Sequence, residues 1–389
     1  MLSPPIEGHH VASKRVIEAA IRAGIDARVM TIERDAKIVE IPQNWAVLNL
    51  KKKSRRYVRF SPSLFSAVDE LRASLSISSS AKFSDCDLIH VLNVTKEVYV
   101  FAHKLMRVKK PLLLHLYHSP YVLTDDIFFI RNMALRFGLF GRVIDNYALT
   151  ANVSLSKFMV ERLGVDPERV HYVPYPIDTD MFKPLNAKRN LREKHRLPSD
   201  QPVVAYVGSL HPARGVSILI RSFRNVLSRF PRALLYISHP HHNGEEAYET
   251  HLHELIKNSK LQKSVLIVGP SAHIEEVYNL ADIVVLPFQR PYWIDPPLVL
   301  LEAMSSGAAV VATSVGAINE VANDHENAVF TKAGDPRILA KNIIELIENP
   351  SECHKIGQKA RETIVQNYSY NVVGNKLLEI YDFILNHLD

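Results

Sequence analysis

The chain has only two cysteines, Cys86 and Cys353, far apart and at no metal-binding or redox spacing. That excludes a disulfide scaffold and suits two inert thiols in a reducing cytoplasm. No apolar run approaches the roughly 18–20 residues needed to cross a bilayer. Met1 is followed by Leu-Ser-Pro-Pro, without the charged stretch and apolar core of a secretory signal. Glycine, at 14 of 389 residues, is too sparse for collagen, and G-x-G-x-x-G is absent. The missing fingerprint argues against an NAD-dependent dehydrogenase. What remains is ordinary for a folded protein: 47% hydrophobic and 23% charged residues. The length suggests two domains of about 150 residues or one large one.

The net charge of +6 is uneven. Residues 1–183 hold 26 Lys+Arg against 19 Asp+Glu, and residues 184–389 hold 21 against 22. The basic excess therefore lies in the first half. It suits an anionic membrane surface, a phosphorylated acceptor or a plain solvated face. No nucleic-acid-binding module is recognisable.

The second half alternates short β-rich runs with helical spacing. Strands are expected at residues 202–208 (PVVAYVG), 233–238, 264–268, 283–287 and 309–313, with helices at 215–230, 248–257, 274–281 and 298–306. The first half repeats this more weakly. Its strands are expected at 26–31, 88–92, 112–116, 148–154 and 170–173, and its helices at 11–23, 97–108, 127–147 and 157–163. Residues 174–201 carry little periodicity and read as a linker, and residues 370–388 as a closing helix. The pattern predicts an α/β protein of two Rossmann-like, doubly wound domains facing a cleft. Ligands of such sheets bind outside the carboxyl ends of the strands.

The strongest segment is PPLVLLEAMSSGAAVVATSVGAINE, residues 296–320. Pro296 and Pro297 suit a helix entry, where a missing N–H costs little. The N–H groups of Leu298 and Val299 then form an anion site at the helix start. One turn on, Glu302 is placed to accept a sugar hydroxyl, or is simply a surface acid.

Glu302-Ala303-Met304-Ser305-Ser306-Gly307, Val310-Val311-Ala312, and Gly316 with Glu320 resemble the donor signature of retaining glycosyltransferases of family four, which have the GT-B fold. Gly208-Ser209-Leu210-His211-Pro212-Ala213-Arg214-Gly215 resembles the family's Gly-Arg-Leu-x-x-x-Lys-Gly. Val170–Pro174 with Asp178–Phe182, and Val268-Gly269 with Glu275–Tyr278, resemble two further family stretches. The resemblance extends over nearly the whole chain. It implies an N-terminal acceptor domain (1–183, with 370–389 packing back on it) and a C-terminal donor domain (184–369). It further implies a nucleotide-diphospho-sugar, UDP- or GDP-linked, as co-substrate, with no other cofactor and no metal. The implied acceptor is a saccharide or a lipid-linked molecule.

By the same resemblance the donor is held by Gly8, Ser209, Arg214, Ser271, Asp295, Leu298, Val299 and Glu302, and His118 is the catalytic residue. His118 follows the strand LLLHL, with His115 as its competitor inside the strand. Gly8 matches a first loop in which backbone approaches the donor phosphate. Two departures stand out. The family's first acid falls on Ile294, and Asp295-Pro296-Pro297 replaces Gly-Phe-Gly, so Asp295 either substitutes for that acid or forms a turn. The family's phosphate-binding Arg falls on Ser209, leaving Arg214 to grip a diphosphate in bidentate fashion. The departures leave open a second reading, a weakly active or inactive nucleotide-sugar-binding subunit.

His239-Pro240-His241-His242 lacks a fourth ligand at zinc spacing, and the resemblance implies a surface turn there. The basic run at residues 51–59 and the aromatic-rich residues 127–147 either face anionic lipid, making the protein peripheral on a membrane, or are a loop and a core helix.

Overall fold

The computed structural model describes residues 7–26, 28–32, 46–50, 75, 78–79, 86–92, 104–116, 150–154, 170–240, 245–271, 273–290 and 296–387. The expected helices at 127–147 and 157–163, the basic run at 51–59, His118, His241, His242 and Asp295 lie outside them. The chain divides into two compact units, Met1–Pro176 with Tyr370–Asp389, and Ile177–Ser369.

The first unit opens with α1 (Glu7–Arg22). Strands β1 (Arg28–Ile32) and β2 (Ala46–Leu50) pair in parallel. Four more strands, β3 (Ile89–Val91), β4 (Leu112–Leu116), β5 (Thr150–Ser154) and β6 (Val170–Tyr172), form a parallel sheet in that order. The C-terminal helix (Tyr370–His387) returns to this unit. Its Val373, Leu377, Ile380 and Ile384 join Val16, Ala20, Leu113 and Val173 in one buried core. Gly374 permits the closest approach, because a Cβ there would come within 2.4 Å of the Ala19 carbonyl oxygen. The Tyr370 hydroxyl donates to Glu18 at 2.8 Å, and the Arg22 guanidinium lies 4.4 Å from the Tyr370 ring.

The second unit holds a six-stranded parallel sheet: β7 (Val203–Val207), β8 (Leu234–Ser238), β9 (Val265–Val268), β10 (Ile283–Leu286), β11 (Ala309–Thr313) and β12 (Val329–Thr331). Every residue of β7, β8, β10 and β11 is buried, the mark of strands covered on both faces. The spatial order is β12-β11-β10-β7-β8-β9. The chain therefore winds outward one way through β8 and β9, then returns to β7 and winds the other way from β10. The topological switch point lies between β7 and β10.

Residues 174–201 are not a free linker. Helix α2 (Lys188–Lys194) forms within them, and its buried Arg192 donates to the Leu280, Ser199 and Gln201 carbonyls and to Asp282. The division falls at Pro176–Ile177 rather than after Lys183, because Phe182 is buried in the second unit. Its carbonyl accepts from Ser305 Oγ at 2.6 Å, and its ring meets Tyr278 edge-on. Polar, Pro-rich composition concealed these contacts, which are made with residues distant in sequence.

The remaining helices are α3 (Val216–Arg229), α4 (Glu246–Asn258), α5 (Ile274–Leu280), α6 (Leu298–Ser305), α7 (Pro336–Glu348) and α8 (Pro350–Tyr368). Helix α3 shows how they sit: Val216, Leu219, Ile220, Phe223 and Val226 are buried along one stripe. No described helix is long and apolar enough to cross a membrane.

Candidate functional site

All six strands of the second unit run in parallel, so the segments following them share one edge of the sheet. At the switch point two such segments interlock. After β7, Gly208 takes φ +142°, and the Ser209 carbonyl accepts from the Tyr206 hydroxyl at 2.7 Å. Leu210 N–H donates to Glu245 at 2.9 Å, and Ala213 N–H to His211 Nδ1 at 3.1 Å. A short 3-10 turn, Pro212–Arg214, then delivers Arg214.

Gly215 follows in the left-handed region at φ +71°, both ending that turn and opening α3. A Cβ on Gly215 would lie 1.9 Å from the Pro287 carbonyl oxygen, so only glycine lets the β10 segment pass. Gln289 N–H donates to the Ala213 carbonyl at 2.8 Å and completes the clasp.

The Arg214 guanidinium carbon lies 4.5 Å from the centre of the Phe288 ring. Phe288 is buried, and its carbonyl accepts from Thr313 Oγ1 at 2.6 Å, tying it to β11. A cation over an aromatic face is worth about 2 kcal/mol when desolvated. The sequence pointed to Arg214 and not to Phe288 or Gln289; their signal was their place directly after a buried strand.

Helix α6 begins at Leu298 with Pro297 as its extended N-cap residue. Leu298 and Val299 are its first two residues, whose N–H groups precede any intrahelical acceptor, and both are half-buried. Glu302 is not a surface acid. It is 7% exposed and accepts from the Tyr278 hydroxyl at 2.8 Å. Ser271 follows β9 and uses its hydroxyl locally, accepting from His273 N–H at 3.2 Å.

Gly8 departs from expectation. It lies in the first turn of α1 and not in a loop, because the helix begins at Glu7 instead of Val11.

In the first unit His115 lies inside β4, as expected, and is buried there. Its Nδ1 lies 3.2 Å from His90 Nε2, and His90 Nδ1 lies 2.7 Å from the Tyr381 hydroxyl. Burial lowers the His90 pKa to about 3 and raises that of Tyr381, so both are neutral.

His239 is buried after β8, where its Nδ1–H donates to the Pro240 carbonyl at 3.2 Å and its Nε2 lies 3.5 Å from Glu249. Among the described residues no group of three or more His, Cys, Asp or Glu is arranged to hold a metal ion.

A cavity of about 1040 Å³ opens at the opposite edge, beside the starts of β7, β10 and β11. Asp282, on its wall, is engaged by Arg192 at 2.7 Å and Lys188 at 3.1 Å. The Cys353 thiol there donates to the Asp282 carbonyl, and its pKa is pushed up to about 11, first by burial and then by the Asp282 charge. This edge has paired charges and an inert thiol. The switch-point edge is where open α/β sheets bind ligands.

Residues 187–363 match the family model of the glycosyl transferases group 1. A D-inositol 3-phosphate glycosyltransferase of Catenulispora acidiphila is 30% identical over 211 residues, which cover 52% of this chain and 48% of that protein. The chain thus spans about half the length of the curated relatives of this kind that it matches. The YtcC protein of Bacillus subtilis is 24% identical over 80% of this chain and 76% of its own length.

Among solved structures, Anabaena HepE in complex with UDP superposes with a TM-score of 0.76 at 20% identity, covering 97% of this chain and 96% of that one. A glycosyltransferase of Rickettsia africae superposes with a TM-score of 0.77 at 18% identity, covering 99% and 97%. The likeness to these structures is one of fold. The chain has the GT-B fold, and its residues 187–363 are similar to the glycosyl transferases group 1.

Proposed function

We propose that the protein is a retaining glycosyltransferase of family four that moves a sugar from a UDP- or GDP-linked donor to a saccharide or lipid-linked acceptor. The observation that carries this reading is Arg214, delivered to the carboxyl edge of the sheet at the β7–β10 switch and laid on Phe288. A bidentate guanidinium at such a point suits a diphosphate. HepE, with the same fold, has been solved with UDP and with UDP-glucose, which supports a uridine nucleotide as the first donor to try.

In this reading Arg214 and the N–H groups of Leu298 and Val299 neutralise the departing diphosphate. Glu302 receives a hydroxyl of the nucleotide sugar, and the loop holding Ser271 faces the base. The first unit takes the acceptor, with His118 beside the reacting carbon. The acceptor hydroxyl attacks on the leaving-group face as the bond from sugar carbon to phosphate oxygen breaks. A diphosphate oxygen takes the acceptor proton, so configuration is retained without a covalent enzyme intermediate. The protein positions the reactants and stabilises developing charge, and the reaction needs no metal. The basic first half brings the acceptor site to an anionic membrane surface.

The test is a donor panel. UDP- and GDP-sugars are assayed for hydrolysis and for transfer to saccharide and lipid-linked acceptors, with calorimetry for binding. Turnover with retained configuration supports the proposal. Tight binding without turnover on any acceptor makes the chain a nucleotide-sugar-binding subunit.

A further inference from the structure

We propose that Phe288 is a positioning residue for the diphosphate site, holding the Arg214 guanidinium in place before any ligand arrives. The inference rests on the nucleotide-diphosphate reading of that site and adds a residue to it. A long cationic side chain that grips an anion loses rotamer freedom as it does so. A guanidinium already laid on a ring has lost most of that freedom beforehand. Its planar, weakly hydrated head stacks where an ammonium does not.

The geometry gives Phe288 the rigidity this role requires. It is 2% exposed, and its backbone is held by Thr313 Oγ1 at 2.6 Å, itself a buried residue at the end of β11. On one side of it, Pro287 is locked under Gly215, and on the other Gln289 is bonded to Ala213. Arg214 stands between Ala213 and Gly215, so the segment carrying the cation and the segment carrying the ring are fastened on both sides of their contact. The distance of 4.5 Å from guanidinium to ring centre is thereby held by the clasp between the two segments that follow β7 and β10. In this inference the buried ring acts on the ligand through Arg214.

The experiment is calorimetry on the full chain with UDP against uridine, or GDP against guanosine, whichever pair the wild type binds. Phe288→Leu is expected to weaken diphosphate binding up to about tenfold, through the rotamer freedom that an unpositioned arginine must lose on binding, and to leave nucleoside binding unchanged. Phe288→Tyr keeps the aromatic face and should restore diphosphate affinity to within about threefold of wild type. In an Arg214→Ala background, Phe288→Leu should have no further effect.

Equal losses for diphosphate and nucleoside, or failure of the tyrosine variant to rescue a folded protein, would assign Phe288 to packing alone and overturn the inference. Unchanged diphosphate binding in Phe288→Leu overturns it while leaving the reading of the site intact. A wild-type chain that binds neither UDP nor GDP overturns both.

Discussion

The Tyr278 hydroxyl donates to Glu302 Oε2 at 2.8 Å, joining α5 to α6 inside the second unit. The carboxylate proposed to receive a sugar hydroxyl is thus aimed by a phenol from a neighbouring helix. Tyr278→Phe removes one donor from a buried carboxylate and should cost about 1.5–3 kcal/mol of stability, read as a lowered denaturant midpoint. Glu302→Ala should also weaken nucleotide-sugar binding. Unchanged affinity in both variants would make the pair purely structural.

Gly215→Ala should fail at two levels. A left-handed backbone costs alanine about 1–3 kcal/mol, and its Cβ cannot coexist with the Pro287 carbonyl at 1.9 Å. The β10 segment must move, and Arg214 with it. Thermal denaturation and UDP calorimetry together test this, and near-native values in both would contradict the clasp.

Acid should destabilise the first unit through His90. Its folded pKa is depressed to about 3, whereas the unfolded chain holds it near 6.5. The unfolded state therefore binds the proton first as pH falls. The stabilisation is complete above about 6.5 and is lost on the way down to 3. Between pH 6.5 and about 5 the loss amounts to about 2 kcal/mol. Denaturant midpoints across this range should slope less in His90→Gln, with His115 and Tyr381, the groups that face it, unchanged. An identical slope would remove His90 as the source.

His118→Ala should lower turnover and leave UDP affinity near wild type, since the proposal gives His118 to the acceptor side. His115→Ala should instead lower stability, because His115 is buried and bonded to His90. Kinetics and melting temperatures on both variants separate the two histidines, and normal turnover in His118→Ala would reassign the role.

Liposome sedimentation checks the membrane proposal. Attraction of about 1 kcal/mol for each basic residue near an anionic surface predicts binding to anionic but not neutral vesicles, weakened by salt. Charge reversal at Lys51, Lys52 and Lys53 should reduce it. Binding that ignores lipid charge, or no binding, would favour a soluble acceptor.

Local chemistry alone determined much of this protein. Runs such as PVVAYVG bury every strand residue and alternate with helical spacing, which dictates a parallel sheet covered on both faces. Pro296-Pro297 marked the start of α6 at Leu298, because a chain without two N–H donors enters a helix at little cost. Asp335-Pro336 is an equally local signal for α7: the Asp335 carboxylate accepts from Arg337 and Ile338 N–H groups. That signal is complete within four residues of sequence.

Tertiary structure decided the rest. Gly8 joined a helix, Phe182 joined the second unit, and Glu302 went inside to meet Tyr278. The Arg214–Phe288 contact exists only because β7 and β10 are neighbours in the sheet, although β8 and β9 separate them in the chain. Periodicity records how each element faces its surroundings. Which segments then meet depends on strand order, and no residue carries that information alone.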